Sequence, residues 1–548
     1  MRLPDPRLTV SRTLRASLFL LPLATLLRAQ APATPAPPPA PDQPAYTLHA
    51  NTRLVLTDVT VTDRDGNPVH NLPATAFHIL DGKTPQNISS FEEHTGPGNA
   101  EQTPTAPTTD IARPTGVYSN DFLRHAPPVL NIIVLDLTTI QMADQMYLSY
   151  QLGQFLKTFP AGQPLAIYER DGPITVLLQN FTADRNLLLA AVHKGLPRFP
   201  PVDAIYLSDL DTLSQLSTYL SDLPGRKNLL WFTSGSSRFL QPDATQFEDI
   251  AAVRRVYDSL EANRIAVYPI DARGLTVGNV FGMVGQHVAM SEVAEATGGH
   301  AFYNTNGLKE AVQKVTATGG DFYSLTYSPK NYKEDKKWHK VCITLDDVPY
   351  NLSYRRGYFA DGFNTSRVHS ARSVTHLFAG GGSSDAGKTA AGNQTAANTA
   401  PIVFQARILP SSDPAAGPAP QPVSGPHRKA PAKPKHGSIP YSVTYSVPAD
   451  DLTLASAAAG EGSMEVIVAA FAFNSYGSVV DQHVQRMILA INRENFRLHP
   501  HIDVPLNLQL QLAKGEIYLM LAVVDAASGR SGNLQIAMDV PAPPKPVK

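Results

Sequence analysis

A continuous apolar segment that ends at a carboxylate is the feature that most constrains how this 548-residue chain can fold. Residues 129–135 read VLNIIVL, Asp136 follows directly, and residues 141–158 have helical character. Such a run is typical of a strand that is buried on both faces, as in a parallel sheet. In open α/β sheets, ligands bind just beyond the carboxyl ends of the strands. The segment therefore predicts an α/β domain and marks Asp136 as a candidate binding residue.

Two side chains in the loop after this strand suit a metal ion. Asp136 and Thr138 supply hard oxygen donors of the kind that Mg²⁺ and Ca²⁺ prefer. The same residues can instead cap the helix that follows, because the loop before a helix favours aspartate and threonine. The local pattern leaves the metal site and the helix cap as alternatives.

The overall composition restricts the class of protein. A chain of 548 residues corresponds to about three or four domains. The 46 basic and 47 acidic residues nearly cancel, so the charge balance does not favour a nucleic-acid partner. The single cysteine, Cys342, excludes an intrachain disulfide and a zinc cluster of thiolates. Stability must therefore come from packed cores.

The N-terminus has the pattern of a secretory signal peptide over residues 1–31. A short apolar stretch, residues 16–27, is preceded by four arginines, Arg2, Arg7, Arg12 and Arg15. Ala29-Gln30-Ala31 supplies a small-residue cleavage site. The apolar stretch is too short to span a bilayer, and no later segment is apolar enough to do so. We expect an exported protein, periplasmic or extracellular, with no membrane span in the mature chain. An uncleaved signal anchor is the alternative.

Shifts in composition divide the rest of the chain into folded blocks and linkers. Proline-rich and Ser/Gly/Ala-rich stretches lack the apolar residues that a core needs, whereas alternating apolar and polar residues predict strands. The predicted organisation is a Pro/Ala linker (32–45), a small β domain (46–92), a second linker (93–127), an α/β domain (128–319), a β-hairpin extension tied to it (320–361), a disordered linker (362–400) and a β-sandwich (401–541) with a Pro/Lys-rich insertion (410–438).

Strands alternate with helices within the central segment. The predicted strands are 129–135, 164–169, 174–180, 228–232 and 265–270, and the predicted helices are 141–158, 184–194, 211–222, 245–263 and 308–316. This alternation predicts an α/β fold with a doubly wound, mostly parallel sheet of the Rossmann-like type, flanked by all-β domains.

Several segments of the chain, in this order of elements, resemble the von Willebrand factor A family. They are DLTTIQMADQ (136–145), LQNFTAD (178–184), GRKNLLWFTSG (225–235), VYPIDARGL (267–275), TGGHAF (297–302), YSLTYSP (323–329) and YRRGYF (354–359). More narrowly, the chain resembles the VWFA-related proteins described from acidobacteria. Residues 54–91 also resemble the β segment that precedes this domain in those proteins.

The resemblance implies a metal-ion-dependent adhesion site, whose first part has the pattern Asp-x-Ser/Thr-x-Ser. The implied metal ligands of this chain are Asp136, Thr138, Thr212 and Ser234. Ile140 stands where the family has a serine, and Ser234 stands where metal-binding members have an aspartate. We therefore expect a degenerate site with no cofactor, or with weakly bound Mg²⁺ or Ca²⁺, because affinity follows the charge and number of the ligands.

Four more residues belong to the loops that the resemblance places at the ligand-binding edge. They are Thr139, Asp209, Asp211 and Asp271. Asp209 or Asp211 can restore the charge that is lost with the family's aspartate. Asp271 either belongs to the same face or stabilises its own loop through Arg273.

Three functional hypotheses follow from these patterns. The first is a secreted, multi-domain, non-enzymatic protein that binds an unknown protein ligand in the manner of an adhesion domain. The second is an envelope hydrolase that uses Asp136 and Asp271 as general acid and base. The third is a structural envelope component without a discrete site. A deep cleft between the two carboxylates favours the hydrolase, and exposed loops favour binding.

Overall fold

The computed structural model describes residues 54–542 except 97–113, 126, 161–162, 172–174, 198–207, 236–249, 276–279, 331, 334, 336, 347–348, 361–400, 417–437, 457–460, 475–477 and 493–500. The predicted signal peptide, the Pro/Ala linker and the linker at 362–400 lie outside the described residues, as does most of the insertion at 410–438. No helix in the described part of the chain is long and apolar enough to cross a membrane.

The elements form successive blocks along the chain. The N-terminal strands are β1 (Val55–Thr62), β2 (Phe77–Asp81), β3 (Thr84–Gln86), β4 (Ile88–His94) and β5 (Val117–Ser119). The central block contains β6 (Val129–Asp136), α1 (Met142–Thr158), β7 (Leu165–Arg170), β8 (Thr175–Thr182), α2 (Arg185–Gly195), α3 (Asp209–Tyr219), β9 (Arg226–Thr233), α4 (Ile250–Ala262), β10 (Ile265–Asp271), α5 (Val280–Thr297) and α6 (Leu308–Thr318).

The remaining elements are strands. The first group is β11 (Phe322–Tyr327), β12 (Trp338–Leu345), β13 (Asn351–Tyr354) and β14 (Gly357–Phe359). The second group is β15 (Gln405–Pro410), β16 (Ser438–Pro448), β17 (Ala455–Ser456), β18 (Glu461–Asn474), β19 (Val479–Asn492), β20 (Asp503–Ala513), β21 (Gly515–Asp525) and β22 (Ser531–Val540).

The central sheet is doubly wound, with the strand order β10-β9-β6-β7-β8. Strands β10, β9, β6 and β7 are parallel, and β8 pairs with β7 in the antiparallel direction. Apolar side chains of alternating strand positions enter two cores, one beneath α3, α4 and α5 and the other beneath α1, α2 and α6. Both faces are buried, which explains the unbroken apolar run in β6. The chain reverses its direction of winding between β6 and β9, so their carboxyl ends meet at the switch point.

Strands β11 to β14 complete the N-terminal β domain and do not form an extension of the α/β domain, although β12 and β14 pair with each other as expected for nearby strands. One sheet has the order β13-β1-β11-β4 and the other has the order β14-β12-β2-β3. The core between the two sheets takes Val59 and Phe77 from the N-terminal strands and Tyr323 and Val341 from the later ones. Strand β11 lies between β1 and β4, and β12 lies between β14 and β2, so neither sheet is complete until the chain returns after the α/β domain.

The segment 93–127, predicted as a linker, contains strand β5, which belongs to the C-terminal sandwich. One sandwich sheet has the order β20-β16-β15-β5, and the other contains β17, β18, β21 and β22 with β19 also paired to β18. The Asn120 side chain donates to the carbonyl of Ile402 at 3.0 Å and accepts the N–H of Phe404 at 2.8 Å. This segment is therefore built into the sandwich before the α/β domain begins.

The sandwich packs directly on the α/β domain, because β18 and β21 are apolar on both faces. Val468 and Leu521 point into the sandwich core. Phe471 and Met520, at the opposite alternation, join Tyr219 of α3 in the core of the α/β domain. Alternation along a strand sends successive side chains to opposite faces, so one pair of strands serves two cores. The two domains share a continuous hydrophobic contact.

A single proteolytic cut between the α/β domain and the sandwich is expected to leave the two fragments associated. The cut is made at a specific protease site inserted into residues 362–400, and native size-exclusion chromatography is followed by denaturing electrophoresis. Both fragments should elute together, because the shared apolar core resists exposure to water. In the matched variant F471D/M520D, the two carboxylates oppose this burial, but β5 of the N-terminal fragment still pairs with β15. When the chromatography is repeated in increasing urea, the C-terminal fragment of the variant should therefore be released at a lower urea concentration than that of the unaltered protein. Release of the fragment from the unaltered protein in the absence of urea would contradict the shared core.

Candidate functional site

Three charged side chains meet at the carboxyl edge of the central sheet. Asp136 ends β6, and the parallel register places it opposite Arg170, which ends β7. Asp209 begins α3, directly after the N-cap residue Ser208. Nη1 of Arg170 donates to Oδ2 of Asp136 at 3.0 Å and to Oδ1 of Asp209 at 2.6 Å. Asp136 is 0 % exposed and Arg170 is 4 % exposed, so the bridge is shielded from water.

The charges in this group do not cancel. Two carboxylates face one guanidinium, and burial raises the pKa of the Asp209 carboxyl; Arg170 opposes the rise and Asp136 adds to it. The net result is an Asp209 pKa above its ordinary value. The guanidinium carbon of Arg170 also lies 5.9 Å from the centre of the Trp231 ring, on β9, which is separated from β7 by β6. The ring provides a favourable apolar face for a buried cation.

The loop after β6 folds back on Asp136. The hydroxyl of Thr138 donates to Oδ1 of Asp136 at 2.5 Å, and the Thr138 amide donates to the same atom at 3.2 Å. Ile140 is buried in the core beneath α1. Helix α1 begins at Met142, and its N-cap residue Gln141 makes no side-chain cap hydrogen bond. The alternative in which Asp136 and Thr138 cap this helix is therefore wrong.

Two further predicted residues, Thr139 and Ser234, meet where β6 and β9 end. Oγ1 of Thr139 lies 3.0 Å from Oγ1 of Thr233, the last residue of β9. Thr139 also accepts the backbone N–H of Ser234 at 3.1 Å. The hydroxyl of Ser234 is buried and makes no hydrogen bond within the described residues. The loops after β6 and β9 are thus joined at the switch point through hydroxyl groups.

Asp211 and Thr212 stabilise the start of α3 and do not join this group. Ser208 accepts the Asp211 N–H at 3.1 Å and donates its hydroxyl to Asp211 at 2.6 Å, which forms a capping box. The Thr212 hydroxyl donates to the Ser208 carbonyl at 3.0 Å. Asp209 is therefore the aspartate of this turn that joins Asp136, because both carboxylates accept hydrogen bonds from Arg170.

Asp271 forms a second buried cluster at the end of β10. Arg273 donates to its two carboxylate oxygens at 2.9 and 2.8 Å, and Nε2 of His287 lies 3.0 Å from Oδ2. Burial alone would raise the pKa of Asp271, but the hydrogen bonds from Arg273 and His287 outweigh it and hold the pKa below its ordinary value. The His287 ring stacks on Tyr303 at 4.3 Å. Asp271 therefore stabilises its loop through Arg273, one of the two predicted alternatives.

The residues implied as metal ligands do not fit a divalent cation in this arrangement. A metal ion bound to Asp136 and Asp209 would have to displace the buried guanidinium of Arg170 that bridges them. The described residues contain no group of three or more His, Cys, Asp or Glu side chains that could hold a metal. Thr212 is engaged with its own helix, and Ile140 lies in the core.

Two residues of the site were not found by sequence reasoning. Arg170 has a recognisable signal, because it ends the strand that follows the strand of Asp136, and parallel neighbours end at the same edge. His287 has none, since it lies in the middle of α5 and reaches Asp271 only after the helix packs against β10. The pattern that marks a metal site consists of oxygen donors and does not include arginine.

Comparisons with known proteins do not define a family for this chain. No family model and no curated protein matches the chain. Similar solved structures include von Willebrand factor type A from Catenulispora acidiphila (12% identity, 43% of this chain and 66% of that chain, TM-score 0.25), the SpRpn10 VWA domain (12%, 34% and 94%, 0.23) and the PilB minor pilin from Streptococcus sanguinis (13%, 35% and 60%, 0.24).

The chain spans 66% of the Catenulispora protein and 60% of the pilin. TM-scores of 0.23 to 0.25 support no argument about the activity of this chain. The doubly wound fold of the central domain is instead established by its own strand order and registers.

Proposed function

We propose that the chain is an exported, non-enzymatic interaction protein of the VWFA-related kind. Its α/β domain binds a protein ligand with the loops that follow β6, β9 and β10 and with the start of α3, and the flanking β domains act as spacers or as additional binding surfaces. The metal-ion-dependent adhesion site is degenerate, so a divalent cation is absent or bound weakly. The signal peptide is cleaved near Gln30 or Pro32, and the mature chain is periplasmic or extracellular.

The observation that supports binding is the contrast between buried charges and exposed apolar side chains at this edge. Met146 of α1 is 63 % exposed, Leu275 after β10 is 58 % exposed and Tyr303 is 38 % exposed. We call these three residues the apolar rim. Asn306 links this region, since it accepts a hydrogen bond from Tyr147 through its carbonyl and from the Leu275 N–H through its side chain. We infer that these three side chains form one apolar patch, because clustered exposed apolar groups favour contact with another protein.

The burial of the two strand-end carboxylates argues against the hydrolase hypothesis. A general acid or base must lie within hydrogen-bonding reach of its substrate. Asp136 is 0 % exposed and Asp271 is 1 % exposed, and each forms an ion pair with an arginine, Arg170 or Arg273. Neither carboxylate is available to a substrate in this arrangement.

The test is capture of a ligand from an envelope extract by the immobilised mature chain. We expect the variant M146D/L275D/Y303D to lose the captured protein, because charged groups replace the apolar contacts. The matched control is V484D/I488D, which changes exposed apolar residues of β19 in the sandwich and should retain the ligand. A chelator should have no effect. Equal capture by the rim variant and the control would contradict binding at this edge.

A further inference from the structure

One nitrogen atom joins the two carboxylates of the site. Nη1 of Arg170 lies 3.0 Å from Asp136 and 2.6 Å from Asp209. We propose that the Arg170 guanidinium is the built-in cation of this site, and that it excludes divalent metal ions and makes the site independent of them. This inference concerns the chain itself and does not depend on the proposed protein ligand.

The position of Arg170 is fixed by the sheet. It is the residue opposite Asp136 in the parallel register of β6 and β7, and both strands lie in the buried interior of the domain. Strand-end backbones move little compared with side chains on loops, so the guanidinium needs no reorganisation to reach Asp136. Asp209 is delivered from the opposite direction by the first turn of α3, whose capping box fixes the start of the helix.

Charge and burial explain the exclusion of a metal. A divalent ion coordinated by the carboxylate oxygens that Arg170 contacts would lie within a few ångströms of its positive charge, and like charges repel strongly where water is scarce. The ion would also have to lose most of its water shell, which Mg²⁺ does reluctantly. The Arg170 guanidinium has already lost its water shell and is already paired with both carboxylates. A metal ion would therefore supply no positive charge that the site lacks.

A buried cation also changes how a ligand can be recognised. In a metal-dependent site, a carboxylate of the ligand completes the coordination of the ion. Arg170 is only 4 % exposed and Asp136 is not exposed at all, so no carboxylate from another protein reaches this charge. The Arg170 guanidinium instead holds Asp136 and Asp209, and with them the loops at this edge, in place. Arg170 is therefore a positioning residue.

The test measures divalent-cation binding by the full mature chain and by R170S. Manganese binding is followed by electron paramagnetic resonance, and thermal unfolding is recorded with Mn²⁺, with Mg²⁺ and with EDTA. The unaltered chain should unfold at the same temperature in all three. R170S leaves two facing carboxylates, so it should bind Mn²⁺ roughly tenfold or more tightly than the unaltered chain. R170S should also unfold at a lower temperature and recover part of the loss only when a divalent cation is present.

Three matched variants separate this effect from simple destabilisation. R170S/D136N should lose the Mn²⁺ binding and the recovery, because one of the two carboxylates becomes neutral. R264S removes an arginine from another nearly buried aspartate, Asp58, which keeps Arg226 as a partner, and should be destabilised without any response to cations. R170K keeps the positive charge and should not respond to cations.

Two results would overturn the proposal. Mn²⁺ binding by the unaltered chain that disappears in D136N would show that the arginine does not exclude the metal. Failure of both R170S and R170Q to gain binding would show that the two carboxylates do not form a cation position. R170Q, whose neutral side chain preserves more of the packing, is measured in parallel so that poor folding of R170S does not decide the result. The absence of a gain in both variants overturns the proposal.

Discussion

Replacement of Arg170 with methionine is expected to lower the free energy of unfolding by about 3–5 kcal/mol, because it leaves buried carboxylates without their partner. Methionine keeps most of the side-chain volume, so the loss reports on charge. Asp136 and Asp209 then face each other in a site that is nearly closed to water. The measurement is denaturant unfolding followed by tryptophan fluorescence, with Trp231 as a reporter within this domain.

The control for this prediction is D209N, which should change the free energy of unfolding by less than about 1 kcal/mol near neutral pH. It leaves Arg170 and Asp136 as a neutral pair, and the amide oxygen still accepts a hydrogen bond. A loss in D209N as large as that in R170M would mean that the site is held together by the aspartate and not by the arginine.

The stability of D209N relative to that of the unaltered chain should depend on pH. Because the folded-state pKa of Asp209 lies above the ordinary value of 3.8, the folded chain retains a proton there that the unfolded chain has released. The contribution of Asp209 to stability therefore decreases as pH rises from 3.8 through the raised pKa. D209N lacks this decrease, so its stability relative to the unaltered chain should rise with pH over that window. Asp271, with a lowered pKa, contributes the opposite slope in both proteins.

Replacement of Asp58 with alanine is expected to cost about 3–5 kcal/mol and to weaken the contact between the N-terminal β domain and the α/β domain. Asp58 of β1 accepts hydrogen bonds from Arg264 at 2.8, 3.0 and 3.2 Å, and Arg226 lies 3.6 Å away. Burial would raise the pKa of Asp58, but the two arginines outweigh it and hold the pKa below its ordinary value.

The measurement for D58A is thermal unfolding combined with hydrogen exchange of β1 and β9, which should both lose protection. The matched variant is D65A, which removes an exposed aspartate from the turn after β1 and should have little effect on either readout. Equal protection in D58A and in the unaltered chain would show that apolar packing alone holds the two domains together.

Local sequence patterns predicted the α/β domain well, because its elements are determined by nearby residues. The helix expected at 141–158 is α1, Met142–Thr158, and the strand expected at 265–270 is β10, Ile265–Asp271. Apolar runs bounded by glycine, proline and capping residues define such elements without help from distant parts of the chain. Asp136 was also placed correctly at a strand end, since the run of apolar residues stops there.

Strand partners were beyond the reach of these patterns. The alternation in residues 320–361 indicated strands. A strand can form its hydrogen bonds with any available sheet edge, so alternation does not identify the partner, and pairing with nearby strands was the prediction. The structure pairs β11 with β1 and β4, and β5 with β15. Burial of both faces of β18 and β21 appears in the sequence only as a long apolar run, which does not say which domain covers the second face.

The sequence by itself determined the doubly wound domain, the position of Asp136 at a strand end, and the two departures, Ile140 and Ser234, from the metal-site pattern of the proteins that the sequence resembles. The tertiary structure alone decided which side chains surround Asp136. Asp136, Arg170 and Asp209 lie far apart along the chain, and their electrostatic interaction depends on distances of a few ångströms that only the parallel register and the packing of α3 create. Composition and spacing contain no such distances, so an arginine between two carboxylates became visible only in the folded domain.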